Sequence, residues 1–302
     1  MRIGIFAGDS SAGGKVDQIV EAAHLAAAQG FPSFWLPQIF GVDAITVAGV
    51  IGREVPSLEV GTAVVPTYPR HPMMLAQQAL TASALTGGHF TLGIGLSHQM
   101  VIEQIMGLSF EKPLRHMREY LSILGPLVRE GNVAFTGETL STSATIDVGG
   151  AEPCPILIAA LGPKMLDLAG EMADGTITWM TGPRTIADHI VPNVRASAER
   201  NGRPAPRVVS GVPVCVTDDV EATRKRAAIV FQVYGILPSY RAMLDREGLE
   251  GPADLAIVGN EDEVLAGIAR FAEAGVEDFL AVEFARVDDE RIRTREVLRG
   301  LL

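Results

Sequence analysis

The chain has 302 residues, 47% hydrophobic and 20% charged, and carries a formal net charge of −11 at pH 7. That composition supports a large buried core and excludes a disordered chain, and its acidic balance lacks the basic face that nucleic acid or an anionic membrane surface requires. No window reaches the roughly 18 unbroken apolar residues of a membrane span, and "MRIGIFAG" runs straight into a strand pattern without a signal-peptide layout. The expectation is a soluble cytoplasmic protein whose two cysteines, Cys154 and Cys215, are reduced and buried.

Residues 2–7 read as a strand. An amphipathic helix follows over 15–30, with Ile19, Ala22, Ala23, Ala26 and Ala27 on one face and Gly30 as its stop. Residues 33–36 form a second strand, and Asp43 caps a helix through about residue 52. A third strand over 58–65 leads to a helix over 72–85, opened by Pro72, whose missing N–H costs nothing in a first turn. The fourth strand covers 89–96. Residues 107–150 interrupt the alternation with a helix over 113–130 and then "NVAFTGETLSTSATIDVG", a hairpin-rich insertion. Strands over 155–161, 174–180, 207–216 and 277–284 complete eight, with a second insertion near 231–260 carrying "FQVYGILPSY". Most of these strands are apolar on both sides, as parallel strands covered by helices must be. Eight β-α pairs predict one domain over 1–302, a (β/α)8 TIM barrel with insertions at its C-terminal face. An open doubly wound sheet is the competing arrangement.

In such a barrel the chemistry lies at the C-terminal ends of the strands. The candidate positions are therefore 7–11, 35–38, 62–67, 96–99, 159–164, 179–181 and Glu283. No metal is expected, because the six histidines are scattered and neither a HExxH motif nor a cysteine pair occurs. "GIGLSHQ" (93–99) lacks the third glycine of a dinucleotide fingerprint and the glycine pair of a nucleophile elbow. "AALGPKMLDLAGEMADG" joins a strand end to a helix through Gly162 and Pro163. Gly162 permits close backbone approach, and Pro163 presets a first helical turn. The helix would then direct unpaired N–H groups toward the barrel mouth, a site for phosphate or another anion, with Lys164 adjacent. The local pattern equally fits a tight β-α turn that meets no ligand.

That motif, with "GFPSFWLPQIF", "LEVGTAVVPTYPRHPMMLAQQALTASALTGGHFTLGIGLSH" and "IVGNEDEVLAGIARFAEAGVEDFLAVE", resembles the luciferase-like flavin/deazaflavin oxidoreductase superfamily, particularly its F420-dependent branch. The four stretches keep the family's order and cover most of the chain. The resemblance implies a barrel holding a reduced flavin or deazaflavin over its mouth. It implies cofactor contacts at Ala159, Ala160, Gly162, Pro163 and Lys164, and at Leu96, Ser97 and His98 after the fourth strand. It also implies a non-proline cis peptide within Thr62-Ala63-Val64, packed behind the ring.

One departure stands out. Several F420 alcohol and sugar dehydrogenases of the family end the second strand in Asp-His, where this chain has Pro37-Gln38. Gln38 can hydrogen-bond a cofactor but cannot exchange a proton near neutral pH, so a catalytic share for it is confined to hydrogen bonding. His98, where related sugar dehydrogenases carry a carboxylic acid, becomes the candidate acid/base; a capping or solvent-facing histidine is the competing reading. His24, His71, His89, His116 and His189 read as packing or surface residues. Trp35, Trp179, Tyr234 and Glu283 are candidates for the substrate pocket, against core packing for the tryptophans and a salt bridge for Glu283. Phe231, Tyr234 and Tyr240 would line that pocket or fill an interface. The implied function is an F420-dependent oxidoreductase passing a hydride between the deazaflavin and a small, largely apolar organic substrate, working as a homodimer. An FMN-dependent monooxygenase that activates O₂ is the rival, and a non-catalytic flavin-binding member is a further alternative kept open by the missing Asp-His pair.

Overall fold

In a computed structural model describing residues 1–7 and 14–302, the predicted alternation closes on itself. The strands in chain order are β1 (Arg2–Phe6), β2 (Ser33–Leu36), β3 (Glu59–Thr62), the short β4 (Val65–Pro66), β5 (Phe90–Gly95), β6 (Asn132–Thr136), β7 (Ser141–Thr145), β8 (Ile156–Ala159), β9 (Gly175–Trp179), β10 (Arg207–Val216), β11 (Ile257–Gly259) and β12 (Asp278–Glu283). Eight of them, β1, β2, β3, β5, β8, β9, β10 and β12, pair in parallel in that order, and β12 returns to β1 with Asp278 opposite Arg2. This is the TIM barrel. The candidate positions Gly8 to Ser11 lie outside the described residues.

Alternation along each strand divides the core in two. Outward residues such as Ile3, Ile5, Phe279 and Ala281 pack under the helices. Inward residues Phe6, Trp35, Leu157, Ile177, Val209, Leu280 and Val282 fill the barrel. Trp35, a candidate for the substrate pocket, is fully buried here: its indole N–H donates to Ser33 Oγ at 3.1 Å, and a Cβ on Gly61 would lie 2.3 Å from its ring. It belongs to the interior, with the Arg207 guanidinium 5.6 Å from its centroid.

Arg207 closes the N-terminal end of the barrel. It donates from Nε and Nη2 to Asp278 at 2.7 and 2.8 Å, and from Nη1 to Glu59 at 2.7 Å. These three residues open β10, β12 and β3, so one cation ties together strands spread around the ring. Burial alone would raise the Glu59 pKa, but hydrogen bonds and charge from Arg207, then Arg2, hold it below its ordinary value.

The two insertions lie at different ends. The helix Pro113–Glu130 is the barrel's own cover for β5, packed beside the helices Pro72–Leu85 and Pro163–Met172. The β6–β7 hairpin leaves from the end of that helix, so it starts at the barrel's N-terminal side and runs along the helix, away from the C-terminal face where it was expected. The reason is connectivity: helix-to-strand connections return to the face opposite the one that strand-to-helix connections occupy. Buried Glu119 of the helix holds the hairpin tip, accepting from the N–H groups of Glu138, Thr139 and Leu140, each at 2.9 Å. The second insertion, with helices Gln232–Ile236 and Pro238–Glu247, follows β10 and does stand on the C-terminal face. Both cysteines are free and buried, and no helix among the described residues is long and apolar enough to cross a membrane.

Candidate active site

At the end of β3 the chain makes a cis peptide bond between Ala63 and Val64, inside the stretch where one was expected. Thr62 anchors this bulge: its hydroxyl donates to the Gly93 carbonyl and accepts from the Gly93 N–H, both at 2.9 Å. Thr62 is fully buried, so it serves as a lock and offers no surface to a cofactor. The neighbouring strand fits only because it is bare. A Cβ on Gly93 would lie 2.0 Å from the Thr62 carbonyl oxygen, and one on Gly95 would lie 2.7 Å from Val64 Cγ2. Ala63 and Val64 stay half-buried on the interior side, beside Ala159 and Trp179. Gly93→Ala should therefore destabilise the protein by about 1–3 kcal/mol, the usual cost of overpacking against fixed backbone. Urea denaturation measures this, and an unchanged midpoint would contradict the packing.

Beyond β5, Leu96, Ser97 and His98 are half-buried. Ser97 has φ of 61° and Met180, just after β9, has φ of 48°, a region side-chain-bearing residues visit rarely. The His98 ring meets Tyr240 edge-on at 5.9 Å, Tyr240 meets Tyr234 at 4.9 Å, and Tyr234 meets Trp179 at 6.2 Å. Trp179 in turn stands edge-on to Phe6 at 5.7 Å and to Phe231 at 6.0 Å. An aromatic wall thus climbs from the barrel interior to the rim. Burial pushes the His98 pKa down, leaving a neutral imidazole at pH 7. Burial raises the Tyr234 and Tyr240 pKa values, with a hydrogen bond from Trp179 partly countering this at Tyr234, so both phenols keep their protons.

Between β5 and β9, β8 ends at Ala159, half-buried toward the interior, while Ala160 is buried in the outer core and does not open to the mouth. The Leu161 carbonyl accepts from His189 Nε2 at 2.8 Å, and Asn193 Nδ2 lies 3.3 Å from His189 Nδ1. A carbonyl can only accept, so the His189 proton is on Nε2. His189 is buried, and it fixes the loop from behind; a histidine in a helical pattern gave no hint of a partner 28 residues away. Next comes Gly162, exposed, where an added Cβ would meet nothing within 4 Å. No side chain caps the helix Pro163–Met172, and Lys164 is exposed on its first turn. The glycine answers to no internal crowding; it leaves open backbone beside an uncapped helix start, which suits the anionic tail of a ligand.

Two other candidates, Gln38 and Glu283, are engaged elsewhere, and His116, His71 and His24 have structural partners. Gln38 Oε1 accepts from Ala44 N at 2.8 Å and caps the helix Ala44–Glu54, leaving only its amide N–H groups for a ligand. Glu283 pairs with Arg295 through both carboxylate oxygens, the salt bridge of the two readings. His116 is buried, stacked on Tyr68 at 3.9 Å and bonded to Thr67, with its pKa pushed down to about 4 by burial. His71 caps its helix through Met73 N, and His24 pairs with Glu54 on the surface. Among the described residues no group of His, Cys, Asp and Glu could hold a metal ion.

A closed eight-stranded barrel, with a cis bulge behind its mouth and an aromatic wall over it, places the chain among TIM-barrel proteins built to hold a ligand at the strand ends. Residues 1–278 match the family model of luciferase-like monooxygenases, and the chain belongs to that family. It is 28% identical over 248 residues to 5,10-methylenetetrahydromethanopterin reductase of Methanolobus tindarius, covering 80% of this chain and 75% of that protein. It is 28% identical over 220 residues to an F420-dependent glucose-6-phosphate dehydrogenase of Nakamurella multipartita, covering 70% of this chain and 63% of that one. Its fold superimposes on an F420-dependent secondary alcohol dehydrogenase, solved with an F420-acetone adduct, with a TM-score of 0.81 at 20% identity, over 98% of this chain and 97% of that chain.

Proposed function

We propose that the protein is an F420-dependent oxidoreductase acting on a small organic substrate. The observation that carries this reading is the gathering, at the ends of the neighbouring strands β3, β5 and β8, of half-buried Ala63, Val64 and His98 with the exposed backbone of Gly162. The F420 dependence named for the relatives supports the choice of cofactor. Ala63 and Val64 would back its ring, Leu96 and Ser97 would border it, and Gly162, Pro163 and Lys164 would take its tail. Bound F420 would supply a hydride from its reduced deazaflavin ring for carbonyl reduction, and in its oxidised form would accept one from an alcohol.

The residues of the chain supply the rest. The aromatic wall excludes water from the reacting face. A ring nitrogen of His98, neutral at pH 7, accepts the proton of a substrate alcohol, and its protonated form returns one to a carbonyl oxygen. His189 holds the Leu161 carbonyl and through it the loop that would take the tail.

Purified protein titrated separately with F420 and FMN tests the cofactor. Saturable F420 binding with negligible FMN binding supports the reading, whereas tight FMN binding without F420 binding would replace it with the monooxygenase. His189→Ala should weaken F420 binding by about tenfold while leaving kcat at saturating cofactor within about twofold, because a buried carbonyl losing its donor costs about 1–3 kcal/mol, only part of it felt at the loop. His189→Gln, which keeps a donor, should recover part of the affinity. Equal cofactor affinity in all three proteins would show that the loop needs no such anchor. The protein is further read as a homodimer, in keeping with apolar Val50, Met74 and Leu85 exposed on the helices Ala44–Glu54 and Pro72–Leu85; sedimentation equilibrium measures the state directly.

A further inference from the structure

We infer that the mouth selects an uncharged alcohol or ketone with an apolar or aromatic body, whose oxygen is held between the Tyr240 phenol and the His98 imidazole. This rests on the oxidoreductase reading and narrows it to a substrate class. The two rings are in edge contact at 5.9 Å and come from separate parts of the fold, one following β5 and the other on the insertion helix Pro238–Glu247. Among the described residues neither the Tyr240 hydroxyl nor a His98 ring nitrogen has a hydrogen-bond partner, and neither is sealed from solvent. Tyr234 belongs to the same wall, its ring 4.9 Å from Tyr240 and 6.2 Å from Trp179. A half-buried donor and a half-buried donor-acceptor, left open side by side, match one oxygen that can both accept and donate.

The charge around the wall fixes the rest of the class. Arg226 lies over the Phe284 ring at 4.0 Å and donates to the Phe284 and Ala285 carbonyls. Glu247 is taken up by the Arg184 and Thr185 N–H groups and the Thr185 hydroxyl, and Arg241 by Asp245 and the Leu249 and Glu250 carbonyls. Lys164 is exposed on the first turn of the Gly162 helix, the segment proposed to take the cofactor tail. A carboxylate or phosphate placed against Trp179, Tyr234 and Tyr240 would lose its hydration without gaining a cation, whereas an apolar body gains from the same surface.

The chain has two tryptophans, and because Trp35 is fully buried, quenching of Trp179 reports on the wall. Full-length protein loaded with F420 is titrated with cyclohexanol, cyclohexanone, cyclohexanecarboxylate and glucose 6-phosphate. We expect saturable quenching by the two neutral compounds, with Kd at least about tenfold lower than for the anions. Tyr240→Phe, which removes one oxygen, should weaken the neutral ligands by about 3- to 10-fold, the worth of one neutral hydrogen bond, with F420 affinity unchanged. Anions binding as tightly as the neutral compounds, no saturable quenching by the neutral pair, or full affinity in Tyr240→Phe would each overturn the inference. The same titration without cofactor separates the two readings. If F420 fails to bind while the neutral preference persists, the cofactor reading falls and the substrate class stands.

Discussion

Replacing Arg207 with methionine should cost the protein about 3–5 kcal/mol of stability, the usual consequence of removing one partner from a buried ionic group. Asp278 has 2% of its side chain exposed and Glu59 has 16%, so both carboxylates would be left in the barrel floor without their shared cation. Arg2 also approaches both, but it is 44% exposed and its charge is screened by water. The sign of the pH dependence separates this account from a loss of packing over Trp35. In the native protein the lowered Glu59 pKa contributes stability that is present above its unfolded value and lost as pH falls through the folded value. Without Arg207 only the exposed Arg2 still opposes burial, so that pKa should rise, and the deficit of the variant against the native protein should grow as pH rises. Urea unfolding of the variant at pH 5 and pH 7 measures this; a variant whose deficit is the same at both values would point to lost packing instead. Adding Glu59→Gln and Asp278→Asn to the variant should recover part of the loss, because the only charge then left in the set is that of the solvated Arg2.

The barrel was legible in the sequence because its signals are local. A strand covered on both faces shows as an apolar run, a helix shows its period, and Asp43, Pro72 and Gly30 mark ends within a residue or two. The faces of the strands were not legible. Trp35 and Trp179 both occur near strand ends, yet one fills the barrel above Arg207 and the other stands in the wall, a difference set by the depth of each residue along the barrel axis. The partners of Glu283 and Gln38 were hidden for a related reason: Arg295 and the Ala44 N–H belong to helices whose docking no local pattern reveals. The hairpin over 132–145 was recognised as an insertion but assigned to the wrong end, because its composition does not say that it follows a helix and precedes a strand of the barrel.

The mouth was legible only through combinations. Gly162-Pro163 alone fits any tight turn; beside the 58–99 block it supports the cofactor site proposed above. Gly93 and Gly95 looked like a fragment of a phosphate-binding motif, and they are instead the bare strand that the Ala63–Val64 bulge packs against. His189 read only as a packing or surface residue, and Tyr240 as one of three insertion aromatics for a pocket or an interface, since each meets a neighbour distant in sequence, the Leu161 carbonyl and the His98 ring. What these residues share is contact across connections, which no periodicity encodes.

His98→Asn should lower turnover by about 10²–10⁴-fold, the range that one positioned acid/base group supplies, while F420 affinity stays within about twofold. Asparagine keeps a polar group of similar size, so a structural role in the turn after β5 would survive the change, and the loss would belong to proton transfer. The pH profile carries the argument further. Burial holds the His98 pKa below its ordinary value, so the neutral form prevails across the physiological range. Alcohol oxidation needs that neutral form: its rate should rise with pH through the lowered pKa and then level off. Carbonyl reduction needs the protonated ring, so its rate should fall as pH rises through the same value. His98→Asn should flatten both limbs, since amide groups do not titrate there. A variant that keeps the limb has its titrating group elsewhere, and one that keeps its turnover removes His98 from the chemistry altogether. If the loss appears in affinity for the neutral ligand and not in kcat, His98 holds the oxygen beside Tyr240 without moving its proton.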